Sequence, residues 1–243
     1  YKKAQHDLAI AVFSEAIASD PKSVEAYMGR ASSYFDTGKY DEAISDFTAA
    51  IQLKPELTHA YIIRALAYSK KSMLDEAIAD CAKAIAMDPK AADAFFVLGY
   101  TYALKNEYEK SWNYLCEAGL LGYSISPELY EMVFNNLGYE NLKKRHSDKG
   151  YSYAAEGRLE EAKQEFTKVL LVEPSNIRAQ ANLKVIAEAE SGKVKKEALA
   201  NFVKGLDYSD HDKFDEAISE FNNAISTNAD CAFFYIYRGN AYD

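Results

Sequence analysis

Residues 22–55 read KSVEAYMGRASSYFDTGKYDEAISDFTAAIQLKP, and the residues that follow repeat the same order of small, aromatic and acidic positions. Three prolines mark the period, because Pro21, Pro55 and Pro89 are each separated by 34 residues. A fixed period of about 20 to 50 residues is the signature of a repeat architecture, in which each repeat packs mainly on its neighbours. The chain is therefore divided into repeats before any domain is assigned.

With Val24 as position 1, the pattern fits five full repeats and half a repeat at each end. The full repeats begin at Val24, Thr58, Ala92, Lys143 and Ala198. Position 8 is small in every repeat, namely Ala31, Ala65, Gly99, Gly150, Gly205 and Gly239. Position 11 is always tyrosine, namely Tyr34, Tyr68, Tyr102, Tyr153, Tyr208 and Tyr242. Position 24 is large or apolar, namely Phe13, Phe47, Cys81, Leu115, Phe166 and Phe221.

Each repeat is predicted to contain two helices joined by a tight turn. The turn residue at position 15 suits a left-handed or turn backbone, and is Gly38, Ser72, Asn106, Gly157 or Asp212. Paired acids at positions 18 and 19, such as Asp41 and Glu42, favour the start of the second helix through the helix dipole. These features predict a series of helical hairpins.

This pattern resembles the consensus of the tetratricopeptide repeat family over all repeats, leaving only residues 126–142 and 177–197 outside it. The resemblance implies an all-α fold, a right-handed superhelical solenoid of antiparallel helix pairs. We expect residues 1–125 to form an N-terminal block, 126–142 an inserted helix, 143–190 a repeat with a cap-like helix, and 191–243 a repeat with a half repeat. The inserted helix begins at Pro127 and could split the solenoid into two blocks.

Positions 7 and 23 vary together and are predicted to touch across each hairpin. Position 7 is basic where position 23 is acidic, and both are uncharged in the repeat that holds Leu98 and Tyr114. The charged pairs are Arg30 with Asp46, Arg64 with Asp80, Lys149 with Glu165, and Lys204 with Glu220.

Composition argues against several classes of protein. The net charge of −9 opposes binding to a phosphate backbone, so no nucleic acid partner is expected. Cys81, Cys116 and Cys231 are far apart and form no CxxC motif, which fits a reducing compartment and a cytoplasmic location. The most apolar stretch, 91–104, is shorter than the roughly 20 residues that a membrane-spanning helix needs. The first residue is Tyr1, so an upstream segment could have been removed.

We expect no enzyme, because none of the common catalytic motifs is present. The sequence lacks a phosphate-binding GxxxxGK[ST] loop, a GxGxxG turn, an HExxH zinc motif and a GxSxG nucleophile motif. The four histidines are scattered, and only His59 is expected to face the groove. No catalytic, cofactor or metal site is therefore predicted.

The family resemblance implies a concave groove lined by positions 2, 5, 9 and 12 of the first helices, where a peptide or helix of a partner protein would bind. Large exposed apolar stripes mark such sites. The predicted groove residues are Met28, Phe35, His59, Ile62, Leu66, Phe96, Tyr100, Tyr151, Phe202, Leu206 and Phe233. Alternatives are a scaffold that assembles with itself, head to tail, and a regulatory segment of a larger enzyme.

One known binding mode of the family does not match this sequence. In the carboxylate clamp, lysine, asparagine and arginine side chains of three successive repeats hold the acidic tails of Hsp70 and Hsp90. The matching positions here are Met28, Ser32, Ile63, Asp93 and Val97. Because none of them carries a positive charge and Asp93 would repel a carboxylate, we expect no binding of chaperone tails by this route.

Overall fold

Fourteen helices and no strand make up the computed structural model, which describes residues 2–242. Two compact units can be distinguished in it, an N-terminal unit, Tyr1–Asn136, and a C-terminal unit, Leu137–Asp243. The all-α fold predicted from the sequence is confirmed for the described residues. The four-segment division drawn from the repeats remains a prediction.

The N-terminal unit consists of helical hairpins in which the two helices of each repeat pack on one another. Each first helix also packs on the second helix of the preceding repeat, and α4 packs on α6. Its helices are α1 (Lys2–Ser19), α2 (Val24–Asp36), α3 (Tyr40–Leu53), α4 (Thr58–Lys70), α5 (Leu74–Met87), α6 (Ala92–Leu104), α7 (Tyr108–Leu120) and α8 (Pro127–Leu137).

The C-terminal unit has two hairpins, α9 with α10 and α12 with α13, and one helix between them. That helix, α11, packs on α10, while α12 packs on α9. The helices are α9 (Tyr139–Ala155), α10 (Leu159–Val172), α11 (Ile177–Glu190), α12 (Lys196–Asp210), α13 (Phe214–Thr227) and α14 (Ala232–Asn240). The helix chain breaks after residue 190, because α11 ends at Glu190 and Gly192 has φ of 77°.

The turns inside the repeats have the backbone that their residues predict. All five residues at position 15 have positive φ, including Ser72 at 61° and Asn106 at 60°. This conformation is strained for most residues with a side chain, and it directs the chain sharply into the second helix. The acids at positions 18 and 19 lie in the first turn of α3, α5, α10 and α13, as expected.

The core of each hairpin forms where position 8 faces position 24. A Cβ atom on Gly99 would lie 2.8 Å from Leu115, and one on Gly150 would lie 2.6 Å from Phe166. Small residues at position 8 therefore set the distance between the helices of a repeat.

The predicted charge pairs are confirmed in two repeats and wrong in two. Arg30 Nε donates to Asp46 Oδ2 at 2.6 Å, and Arg64 makes the same two-pronged contact with Asp80. Within residues 2–242, no ion pair joins Lys149 to Glu165, or Lys204 to Glu220. A single lysine ammonium lacks the fork of donors with which arginine spans the hairpin, and both lysines are exposed.

Glu165 is held instead by residues that the repeat pattern did not connect with it. His146 Nδ1 lies 2.7 Å from Glu165 Oε2, and Lys168 Nζ donates to Glu165 Oε1 at 2.8 Å. Burial by itself would raise the pKa of Glu165, but these two contacts outweigh it and lower the pKa to about 2. Glu165 is therefore a buried carboxylate that stays charged.

Candidate functional site

The predicted groove residues of the N-terminal unit lie on its first helices, α2, α4 and α6. Met28, Phe35 and Leu66 are half-buried, while His59 is exposed. Ile62 is a correction, since it is 3% exposed and belongs to the core formed by α4, α5 and α6. The surface that a partner could contact is thus narrower than the sequence suggested.

The aromatic part of this surface is built around Phe96 on α6. The Phe96 ring stacks on Tyr123, with ring centroids 4.5 Å apart, and lies parallel to Tyr100 at 6.5 Å. All three rings are half-buried. Stacked rings of this kind stabilise one another and lose little freedom on binding, because they are already held in place.

Tyr123 belongs to this surface but was not predicted from the sequence. It lies beyond the end of α7, after Gly122 with φ of 88°, and its N–H donates to Ala118 O at 2.9 Å. Its position lies outside the repeat positions that face the groove, so only the folded loop brings it to Phe96. The glycine after α7 was the local signal for this turn.

Charged groups lie at the edge of the aromatic surface. Lys70 Nζ lies 3.2 Å from the Tyr100 hydroxyl and 5.0 Å from the centre of its ring. Burial raises the pKa of Tyr123, and the nearby Asp93 carboxylate raises it further. The surface therefore joins an apolar centre to a polar rim, an arrangement typical of protein interaction sites.

In the C-terminal unit, three predicted groove residues are core residues. Tyr151 is 4% exposed, Leu206 is 1% exposed and Phe202 is fully buried. Phe202 is covered by α14, whose Phe234 and Tyr237 rings lie 5.0 Å and 5.4 Å from its own ring. The expectation that these side chains face an open groove is wrong, because packing between the helices buries them. Phe233 stays half-buried, with Lys184 Nζ 4.9 Å from its ring centre.

One group of side chains in the described part of the chain could offer ligands to a metal ion. Ligand atoms of Asp148, Asp207 and His211 lie within 4.8 Å of one another. Lys144 Nζ, however, lies 3.1 Å from His211 Nε2, and an ammonium group there opposes a second cation. The geometry does not support a metal centre.

Two chemically reactive side chains belong to the core. Cys81 is fully buried at position 24, and burial raises the pKa of its thiol to about 12. His146 is 3% exposed and contacts Glu165, as described above. Both side chains contribute to packing rather than to an open site.

None of the helices within residues 2–242 combines the length and apolar character needed to cross a membrane.

Comparison with known proteins places the repeat pattern in a family. A family model described as "Tetratricopeptide repeat" matches residues 1–57, and a second model of the same description matches residues 58–90 and 135–176. These matches cover more than half of the chain. No curated protein sequence matches.

Solved structures of repeat proteins are also similar to this chain. YrrB, described as a TPR protein with an unusual peptide-binding site, is 20% identical with a TM-score of 0.43, over 94% of this chain and 97% of YrrB. A thermophilic TPR protein of Thermus thermophilus, TTC0263, is 20% identical with a TM-score of 0.46, over 76% of this chain and 91% of its own. The TPR2B domain of yeast Sti1, solved in complex with pHsp70, is 26% identical with a TM-score of 0.43, over 46% of this chain and 94% of its own.

Proposed function

This chain belongs to the tetratricopeptide repeat family, and from that premise we propose that its N-terminal unit binds an apolar helix or extended peptide of a partner protein. The proposed contact surface is the groove of the first helices together with Tyr123, which follows α7. It consists of Met28, Phe35, Leu66, Phe96, Tyr100 and Tyr123.

The stack of Phe96 between Tyr100 and Tyr123 is the observation that carries this proposal. These rings are only half-buried by the protein itself, although aromatic side chains of this size gain free energy when they are removed from water. Rigid aromatic side chains at the centre of a surface are also the usual hot spots of protein interfaces. A partner that covered the rings would bury their remaining apolar area at little entropic cost.

The remaining surface residues favour an apolar ligand over an acidic one. Met28 has a flexible side chain that adapts to different apolar partners. At the positions of the carboxylate clamp, Val97 is 2% exposed and Asp93 is negative, so the tails of Hsp70 and Hsp90 are not the proposed ligands. We also propose that the chain is not an enzyme and that it is located in the cytoplasm.

The test is an affinity capture from native lysate with the wild-type chain and the double variant Phe96→Ala, Tyr100→Ala. A matched control is Tyr235→Ala, Ile236→Ala, which removes two exposed apolar side chains from the C-terminal unit. Circular dichroism first establishes that both variants are folded. We expect at least one captured protein to be lost with the N-terminal variant and retained with the control.

A profile that is the same for all three proteins would overturn the proposed surface. In that case, light scattering over a range of concentrations distinguishes the alternatives. A mass that rises with concentration would favour a self-assembling scaffold, and a constant monomer would favour a partner that binds elsewhere.

A further inference from the structure

Asp93 adds a negative charge to the aromatic surface of the proposed function. It lies on α6, three residues before Phe96 and seven before Tyr100, so the three side chains share one face of the helix. The Asp93 carboxylate is also near Tyr123, since its charge adds to the effect of burial in raising the pKa of that tyrosine. A carboxylate therefore lies beside the rings that a partner would cover.

The Asp93 carboxylate has no cation paired with it in the described part of the chain. One of its oxygens accepts from the adjacent Ala94 N–H at 3.1 Å, and no ion pair of Asp93 is found within residues 2–242. Asp93 is half-buried, so part of its hydration is already lost. Its charge therefore depends on the water that still reaches it at the protein surface.

A partner that covers Phe96 and Tyr123 must also displace water from Asp93, because the carboxylate lies beside these rings. Removing a charge from water without pairing it costs free energy, and this cost offsets the gain from burying the rings. A purely apolar segment would therefore be a poor ligand, and an acidic segment would be repelled. A cationic group placed at Asp93 removes both costs.

The opposite end of the surface carries a positive charge that needs no such partner. Tyr100 lies about 10 Å further along the axis of α6 than Asp93, at a rise of about 1.5 Å per residue. Lys70 Nζ lies 3.2 Å from the Tyr100 hydroxyl, and Lys70 is exposed. Because a long exposed side chain keeps its charged head in water, covering the rings does not strip the Lys70 ammonium of its hydration. Only the Asp93 end of the surface requires a charge from the partner.

Resting on the proposed function, we propose that the partner segment carries an arginine or lysine that pairs with Asp93, next to the apolar side chain that covers Phe96. The stem of such a basic side chain is apolar and packs on Tyr123, while its charged head reaches the carboxylate. Arginine suits the position best. Its planar guanidinium both stacks on aromatic rings and makes two parallel hydrogen bonds to a carboxylate.

The chain itself contains this combination of groups in the second repeat. Arg64 makes two hydrogen bonds to the Asp80 carboxylate. Its guanidinium carbon also lies 5.5 Å from the ring centre of Tyr61 and 5.8 Å from that of Tyr68. Asp93 offers a carboxylate beside tyrosine and phenylalanine rings in the same way, but there the arginine must come from the partner.

The test selects random peptides, displayed on phage, against the intact wild-type chain and against folded variants of it. Asp93→Lys reverses the charge, and Asp93→Asn removes it with little change of shape. The double variant Phe96→Ala, Tyr100→Ala removes two rings of the proposed function. Glu76→Lys is the matched control, because Glu76 is also an acid in the first turn of its helix but is exposed on α5, a second helix outside the groove.

We expect wild type and Glu76→Lys to select peptides in which arginine or lysine is enriched at a fixed spacing from an apolar residue. A fluorescent synthetic peptide of this sequence should bind about tenfold or more weakly to Asp93→Lys and to Asp93→Asn than to wild type, as measured by fluorescence polarisation. Replacing its basic residue by glutamate should weaken binding to wild type and restore binding to Asp93→Lys. Such an exchange of preference reports a direct contact, which a change in folding would not reproduce.

The outcomes separate this inference from the proposed function. Selected peptides can depend on Phe96 and Tyr100 and yet show no enrichment of basic residues, or bind Asp93→Lys as tightly as wild type. Either result would overturn the pairing with Asp93 and leave the proposed function intact. Failure of the glutamate peptide to regain binding to Asp93→Lys would do the same. If no selected peptide depends on the two rings, the proposed surface is wrong and this inference fails with it.

Discussion

Gly205 and Phe221 lie so close together that a Cβ atom on Gly205 would be 2.5 Å from Cε1 of the Phe221 ring. Both residues are buried, and they join α12 to α13. The same relationship between position 8 and position 24 occurs at Gly150 with Phe166. The close packing of α12 on α13 therefore depends on the absence of a side-chain methyl group at residue 205.

Gly205→Ala is expected to destabilise the C-terminal unit by about 1–3 kcal/mol, because the phenylalanine ring must move to admit the methyl group. The gain in helix propensity from alanine, up to about 1 kcal/mol, offsets only part of this cost. Gly239→Ala is the matched control, since a Cβ there would meet nothing within 4 Å at the same repeat position. Urea denaturation, monitored by circular dichroism, measures the stability of both variants. Equal stabilities would contradict the packing argument.

Arg64→Met is expected to cost about 2–3 kcal/mol, because it leaves the Asp80 carboxylate buried without its two-pronged partner. The side chains of Arg64 and Asp80 are only 12% and 10% exposed, so water replaces the lost contact poorly. Lys204→Met should change stability by less than about 0.5 kcal/mol, since Lys204 is exposed and makes no ion pair with Glu220 in the described structure. Denaturant unfolding of the two variants tests the corrected pairing, and a larger loss for Lys204→Met would refute it.

Acid should weaken the C-terminal unit through Glu165. The pKa of Glu165 is about 2 in the folded chain and about 4.3 in an unfolded chain, so the folded state favours the charged form. This stabilisation is complete above about pH 5 and is lost as the pH falls towards 2, with a total on the order of 2–3 kcal/mol. Glu165→Gln should remove this part of the acid sensitivity while lowering stability at pH 7.

The measurement is the midpoint of urea unfolding at pH values from 2 to 6. Unfolding is monitored by circular dichroism, because the only tryptophan, Trp112, lies in the N-terminal unit. Glu220→Gln serves as the control, since Glu220 occupies the same repeat position on α13 and forms no ion pair within residues 2–242. If wild type and Glu165→Gln lose stability in parallel down to pH 2, the contacts of Glu165 do not stabilise its charge.

Cys81 should resist thiol reagents at pH 7 in the native chain. Its side chain is fully buried and the pKa of its thiol is raised to about 12, so almost no thiolate forms in the folded state. A kinetic assay with a chromogenic disulfide on the Cys116→Ser, Cys231→Ser variant isolates this thiol. We expect fast reaction only in denaturant, and fast reaction under native conditions would show that α5 opens locally.

Local features of the repeat could be predicted from the sequence because they depend on neighbouring residues. Positive φ at Ser72 and Asn106 follows from their place between two helical segments, where the chain must reverse. The small residues opposite Leu115 and Phe166 follow from the 34-residue period, since every hairpin repeats the same close approach. The pairs of Arg30 with Asp46 and of Arg64 with Asp80 could be predicted for the same reason.

The candidate sites could be predicted only in part. Phe96 and Tyr100 were identified because they occupy repeat positions that face the groove, whereas Tyr123 reaches them from the loop after α7, outside those positions. Phe202 has the same position as Phe96 in its own region, but α14 covers it. Side chains at the same repeat position in different repeats therefore differ in their exposure to solvent.

The sequence by itself determined the helices, their turns and the close packing inside each hairpin, because these depend on interactions that recur with the repeat. Tertiary structure alone decided that Glu165 pairs with His146 of the neighbouring helix, and that Asn182 is buried. Those outcomes depend on how α9 and α11 pack on α10. Burial changes the cost of a charge or an unpaired acceptor by several kcal/mol, and no periodicity of residues records it.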